Sequence, residues 1–326
     1  MQILKKILSV LLRIGISAAL LIFLFQKVDR KSLLEVIKGA DKPLLLFSFL
    51  IFCLTYIFGL LRWEMLLKAV NIRLPFRRII ISYSGGIFFS LFLPSTIGGD
   101  FMRTVDLAAH TKKPGEVMAT VLLDRLSGYI GLAILALGSL IFGLKIIADK
   151  SVLLSLAVII IVLVSVLLVL FNKFLYSKIN KLLDSPDAGR IRELLRNMHR
   201  EVHLFKHKKK IILRNLALSF VIQLIAPMSF YLTASALGLK VNIAYFLIFL
   251  PIIGAITLLP ISIGGLGLRD ATTIFFFAKA GVAKDLAFAM SLINFSFILI
   301  GGIIGGSIYV FTVRHRRLQY HPSSAV

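Results

Sequence analysis

The sequence is poor in acidic residues, has a single cysteine, and lacks the short motifs that mark an ATP motor or a hydrolase. Cys53 stands alone inside an apolar run, which excludes an intramolecular disulfide and a cysteine metal cluster and leaves the redox compartment unread. No G-x-x-x-x-G-K-S/T phosphate loop, H-E-x-x-H zinc motif or G-x-S-x-G nucleophile elbow is present. No polar stretch is large enough for a soluble catalytic domain. No catalytic residue, cofactor or metal is therefore expected, and energy coupling is left to a gradient or a partner. Only 15 Asp and Glu oppose 38 Lys and Arg, a net charge of +23. In a soluble chain that excess would suggest nucleic acid. Here the basic residues lie between apolar runs, so the expected partner is an anionic membrane surface and not nucleic acid.

What the chain has in abundance is apolar surface. With 58% apolar residues over 326 positions and a mean hydropathy of +0.94, it reads as a polytopic membrane protein. Residues 1–326 are expected to form one all-α integral membrane domain. Full spans are expected near 7–25, 44–61, 117–144, 152–171, 211–237 and 286–311. The first follows Lys5 and Lys6 and is too long for a signal-peptide core. The second ends at Arg62 and Trp63, read as an interfacial pair at headgroup level, and residues 26–42 are read as an outer loop.

The topology follows from charge. Residues 173–214 carry twelve Lys and Arg, and the positive-inside rule makes that segment cytoplasmic. It stays inside only if residues 79–110 enter from the cytoplasm and return there as a re-entrant hairpin. Residues 243–280 repeat the pattern from the opposite face. The expected architecture is thus about six full spans plus two oppositely oriented hairpins, an inverted repeat. It divides into a first half, 1–172, a basic amphipathic segment, 173–210, and a second half, 211–326. Both termini fall in the cytoplasm, and the membrane is the cytoplasmic (inner) one of a bacterium or archaeon. In the basic segment Ile191, Leu194, Leu195, Met198, Val202 and Phe205 recur at helical spacing, suiting a helix lying on anionic lipid. His199, His203 and His207 fall four apart on one face, which could chelate a metal, but their neighbours are largely cationic and no carboxylate partner is evident on that face.

An eleven-residue phrase occurs twice, LPSTIGGDFMR at 93–103 and LPISIGGLGLR at 259–269. Pro94 and Pro260 lack an amide hydrogen, and the pairs Gly98, Gly99 and Gly264, Gly265 weaken a helix, so each phrase marks a break. Breaks at matching places in two apolar halves point to a binding site made of discontinuous helices. The plainer alternative is a pair of packing turns. In each phrase an arginine, Arg103 or Arg269, follows the second glycine by four residues. If a helix starts at the glycines, its free amides and positive end face the membrane interior, with the arginine about one turn further on. That arrangement suits a phosphate. Asp100, Asp124, Arg125 and Asp270 supply neighbouring charges, to hold the arginines or to meet a cationic headgroup. Those charges also fit purely internal ion pairs. The stretch GGIIGG at 301–306 reads as a close helix contact that would also permit a homodimer.

Taken together, PSTIGGDFMR, then VLLDRLSG, then LPISIGGLGLRD and a final glycine-rich helix resemble the flippase-like transmembrane region of the lysylphosphatidylglycerol synthetase family. The resemblance implies movement of a phosphate-bearing lipid, such as an aminoacylated or anionic phospholipid, between leaflets. The matching positions are Pro94, Gly98, Gly99, Asp100, Arg103, Asp124, Arg125, Pro260, Gly264, Gly265, Gly267 and Arg269. The chain departs from that family's pattern in having no soluble synthetase domain, so lysyl transfer is not implied. It also has Asp270 where a glutamate is expected. Two rival readings remain. One is a membrane transferase acting on a lipid or polyprenyl-phosphate carrier. The other is a non-catalytic subunit serving a lipid-modifying enzyme or a glycosyltransferase.

Overall fold

The computed structural model describes residues 15–26, 30–92, 96–143, 152–155, 157–158, 161, 165, 205, 208–257, 262 and 264–319. All regular structure among them is helical. The helices are α1 (Gly15–Gln26), α2 (Arg30–Gly39), α3 (Lys42–Ala69), α4 (Phe76–Phe92), α5 (Thr96–Thr111), α6 (Pro114–Gly143), α7 (Lys209–Ala236), α8 (Ile243–Thr257), α9 (Leu268–Ala278) and α10 (Lys284–Gln319). Within these, Lys42–Ala69, Pro114–Ser139, Lys209–Ala236 and Lys284–Thr312 are long and apolar enough to cross a membrane. The chain is a multi-pass membrane protein. Most of the expected span at 152–171, most of segment 173–210, the three histidines His199, His203 and His207, and both Pro94 and Pro260 lie outside the described residues; of that span residues 152–155, 157–158, 161 and 165 are described and helical.

Local chemistry explains the helix ends. Asp41 caps α3 by accepting the amide of Leu44 at 2.9 Å, with Pro43 in the first turn where no amide is needed. The helix then runs unbroken to Ala69, and Asn71 turns the chain with φ of 59°. Pro227 in α7 and Pro251 in α8 are carried inside helices, as neighbouring helices allow in a membrane bundle. Residues 30–39, expected as loop, form α2. Leu33 explains the difference, because it is buried in a cluster with Leu24 and Phe288.

The bundle has two distinct ends. At one, Trp63 and Leu67 of α3 meet Ile79 of α4, Leu107 of α5 and Val117 of α6. Phe205, placed by its sequence pattern on a lipid-facing stripe, is instead fully buried there against Leu66, Ala119 and Leu123. At the other end, the Asp41 amide donates to Ala236 at 2.9 Å, and Phe246, Phe277 and Ala287 share a core. Between the ends, Ser48 of α3 bonds Ser229 and Thr233 of α7, and Ser229 reaches Asn294 of α10.

α4 and α5 form an antiparallel hairpin. Arg78 bonds Asp106, the Ser82 hydroxyl donates to the Arg103 carbonyl at 3.2 Å, and Gly86 faces Gly99. α8 and α9 form a second, with Phe246 on Phe277 and Phe249 on Phe276. The first opens at the end that holds Ile79 and Leu107, the second at the end that holds Phe246 and Ala287. The hairpins are therefore oppositely oriented. Their arms α4 and α8, at 17 and 15 residues, are short for a span of about twenty. α10 packs along α4 through its glycines: a Cβ on Gly302 would lie 2.2 Å from Leu91 and one on Gly305 2.9 Å from the Ser84 carbonyl. That glycine face is occupied within the chain, so a dimer would have to use another surface.

Candidate functional site

A cavity of about 400 Å³ lies among α3, α4, α5, α6, α7 and α8. Glycines make the room for it. Gly86 and Gly99 let α4 and α5 touch backbone to backbone, while Gly128 of α6 and Gly254 of α8 leave its wall without side chains.

The polar wall is a chain of alternating charge: Arg62, Asp124, Arg103, Asp100, Arg125. Arg62 Nε meets Asp124 Oδ1 at 2.6 Å, and Arg103 Nη2 meets Asp124 Oδ2 at 2.9 Å. The same Nη2 meets Asp100 Oδ1 at 3.1 Å, and Arg125 Nε donates to Asp100 Oδ2. Helical spacing sets this order. Asp100 and Arg103 are three apart on one face of α5, and the adjacent Asp124 and Arg125 of α6 reach different partners on it. Arg62 also donates to Ser219 of α7 at 2.8 Å, tying a third helix to the wall.

Three arginines against two aspartates leave one net positive charge. Arg103 and Asp124 are almost completely buried, whereas the Arg125 side chain, which also lines the cavity, is 29% exposed. The Arg103 guanidinium lies 5.0 Å from the Trp63 ring and 5.7 Å from that of Tyr83, and its Nε is buried without a partner among the described residues. The Trp63 indole donates to Thr120 at 3.1 Å. Such a wall can hold an anion by electrostatics and by directed N–H groups, with the aspartates keeping the guanidinium planes aligned.

The family model for the lysylphosphatidylglycerol synthase TM region matches residues 10–306. The chain belongs to this family. It is also similar to a UPF0104 membrane protein of Pyrococcus horikoshii, 24% identical over 92% of this chain and 96% of that one. A second UPF0104 membrane protein, from Methanothermobacter thermautotrophicus, is 25% identical over 80% of this chain and 82% of its own length.

The two repeated phrases fold differently in this chain. In the first, α5 begins at Thr96, so Gly98 and Gly99 are helical instead of a free helix start, and Gly99 serves a tight crossing with Gly86. In the second, Gly264, Gly265 and Gly267 have φ of 58°, 78° and 77°, and α9 starts only after them. The arginines diverge as well. Arg269 does not line the cavity. Its Nη2 meets Asp270 at 3.0 Å, its Nε meets Ser291 at 3.3 Å, and it lies 4.7 Å from the Phe295 ring. Asp270 is wholly buried and accepts the Gly267 amide at 2.9 Å, closing the glycine turn.

Asp100, Arg103, Asp124, Arg125 and Gly99 are thus brought together at the cavity, while Arg269, Asp270, Gly264 and Gly265 form a separate cluster. Arg62, Tyr83, Gln223 and Gly254 line the cavity and were not singled out by sequence. Arg62 and Trp63, read from sequence as an interfacial pair, are turned into the bundle: Trp63 has no exposure and Arg62 only 9%. The available signal was helix length: nothing between Leu61 and Ala69 breaks α3, so both residues belong to its interior. Among the described residues no cluster of His, Cys, Asp and Glu is arranged to hold a metal.

Proposed function

We propose that the protein moves a phosphate-bearing lipid between leaflets, by flipping or scrambling, with its cavity as the station for the headgroup. The observation that carries this reading is the alternating wall with one arginine in excess. A charge in the membrane interior costs at least about 2.5 kcal/mol on insertion scales, so a cavity wall richer in arginine than in aspartate favours an anion beside it. Arg125, the most exposed member, and Arg103, whose buried Nε has no partner among the described residues, are the proposed phosphate partners. Asp100 and Asp124 hold them in place. Arg269 and Asp270 are assigned to fastening the second hairpin.

The same reading gives an orientation. Lys68, Arg73, Arg77, Lys112, Lys113, Lys208, Lys209 and Lys210 gather at the end where the first hairpin opens. By the positive-inside rule that end faces the cytoplasm, together with both termini.

The test is lipid movement in proteoliposomes using headgroup-labelled anionic and aminoacylated phospholipids. The wild type is expected to move at least one of them, and both Arg103→Ala and Arg125→Gln to lose that movement while keeping a cooperative thermal transition. A wild type inert across the panel, or variants that move lipid normally, would overturn the reading. Turnover of a polyprenyl-phosphate donor would then favour a transferase.

A further inference from the structure

At the base of the first hairpin, away from the cavity, the Nδ1 atom of His110 has two neighbours. It lies 2.9 Å from Nη2 of Arg78 and 3.2 Å from the main-chain oxygen of Asp106. One ring nitrogen cannot serve both. A guanidinium has only donors, so the contact with Arg78 needs a bare lone pair on Nδ1. The contact with the Asp106 carbonyl needs a hydrogen on the same atom.

In the neutral ring with its hydrogen on Nε2, the shorter contact holds and His110 helps to satisfy Arg78. In the cation both nitrogens carry hydrogen. Arg78 then faces a donor and a like charge, and the Asp106 carbonyl takes the Nδ1 hydrogen instead. Arg78 is badly placed to tolerate this. It is 5% exposed, its remaining ion-pair partner is Asp106 Oδ1 at 2.7 Å, and its Nε and Nη1 have no partner among the described residues. Among the described residues, the other groups facing the cluster do not supply negative charge to it. Tyr309 of α10 is neutral and within electrostatic reach of both Arg78 and Asp106, while Arg77 on α4 and Lys112 and Lys113 after α5 add only positive charge nearby.

The consequence for the hairpin follows from α5 itself. Asp100, Arg103, Asp106 and His110 are three, three and four residues apart and share one helix face, so a shift at the base is carried by a rigid rod to the cavity wall. We propose that His110 is a proton-binding site that clasps α5 to α4 when neutral and frees the base of the hairpin when protonated. The proposal concerns conformation and does not require that the cavity carry lipid.

The test is a distance. In the full chain, with Cys53→Ser, spin labels are placed through Arg77→Cys and Ala109→Cys, both exposed positions that flank the clasp. Pulsed EPR in vesicles at about pH 8 and about pH 5 is expected to give a short distance at the higher value and a reversible shift to a longer one at the lower. His110→Asn, which offers an acceptor but takes no proton, is expected to hold the short distance at both. His110→Lys, a permanent cation, is expected to hold the longer one. A pH-independent distance in the parent, a pH response surviving in His110→Asn, or a short distance in His110→Lys would each overturn the proposal. Lipid movement is measured separately, so failure of the clasp and failure of the transport reading are distinguishable.

Discussion

Arg103 of α5 and Asp124 of α6 are joined by a 2.9 Å charge-assisted bond between side chains that are only 5% and 7% exposed, and this bond ties the first hairpin to the bundle. Asp124 is also the shared partner of Arg62. Removing the aspartate therefore leaves Arg62 with Ser219 and Arg103 with Asp100 as their remaining partners among the described residues, whereas removing Arg103 leaves Asp124 paired with Arg62. Asp124→Ala is expected to destabilise the protein by about 3–5 kcal/mol, the penalty typical of breaking a buried pair. Arg103→Ala should cost distinctly less. Thermal unfolding of the two variants in the same detergent checks the order; an equal or reversed cost would mean that Asp124 is not the hub.

Trp63, the single tryptophan, lies against Arg103. A phosphate drawing on that guanidinium changes the field at the indole, so a short-chain anionic phospholipid is expected to shift Trp63 emission saturably. The shift should vanish in Arg103→Ala. A fluorescence titration in detergent decides it.

The glycines differ in what they tolerate. A Cβ on Gly99 would sit 2.2 Å from the Gly86 carbonyl, a backbone atom that cannot swing away. Gly99→Ala is expected to cost about 1–3 kcal/mol or more through forced separation of α4 and α5. Gly138, also helical, has nothing within 4 Å of the added atom, and Gly138→Ala should be neutral or slightly stabilising. Melting temperatures of the pair test the contrast.

The polar knot of Ser48, Ser229 and Thr233 holds α3 to α7. Hydrogen bonds between membrane helices average about 0.6 kcal/mol and reach about 1.7. Ser48→Ala, which removes three contacts at a fully buried site, is expected near the upper figure in equilibrium unfolding.

Arg269 separates stability from binding. Its loss leaves Asp270, which has no exposure, holding Ser291 and the Gly267 amide among the described residues. Arg269→Ala is expected to lower the unfolding midpoint while leaving the Trp63 titration unchanged. An abolished titration in a folded variant would return Arg269 to the binding site.

Much of the fold was legible in the chain because lipid imposes simple rules. Apolar length gave the long helices α3, α6, α7 and α10. The repeated phrase and the charge parity pointed to two opposed hairpins, whose arms the structure pairs through Ser82 with Arg103 and Phe246 with Phe277. Loop residues 30–39 were misread because a short amphipathic helix has no long apolar signature.

Sequence alone determined that this is an all-helical membrane protein of this family, and that Asp100, Arg103, Asp124 and Arg125 are charges needing partners, because an isolated charge in lipid is too costly to leave unpaired. It did not determine which partners they find. Neighbours in sequence, Asp124 and Arg125, bond to other helices, and Arg62, dozens of residues away, completes the wall. Only the tertiary structure decided that one repeated arginine faces the cavity and the other closes on its own neighbour. The physical reason is that spacing along a helix fixes the direction of a side chain, while the helix packed against that face fixes what it meets.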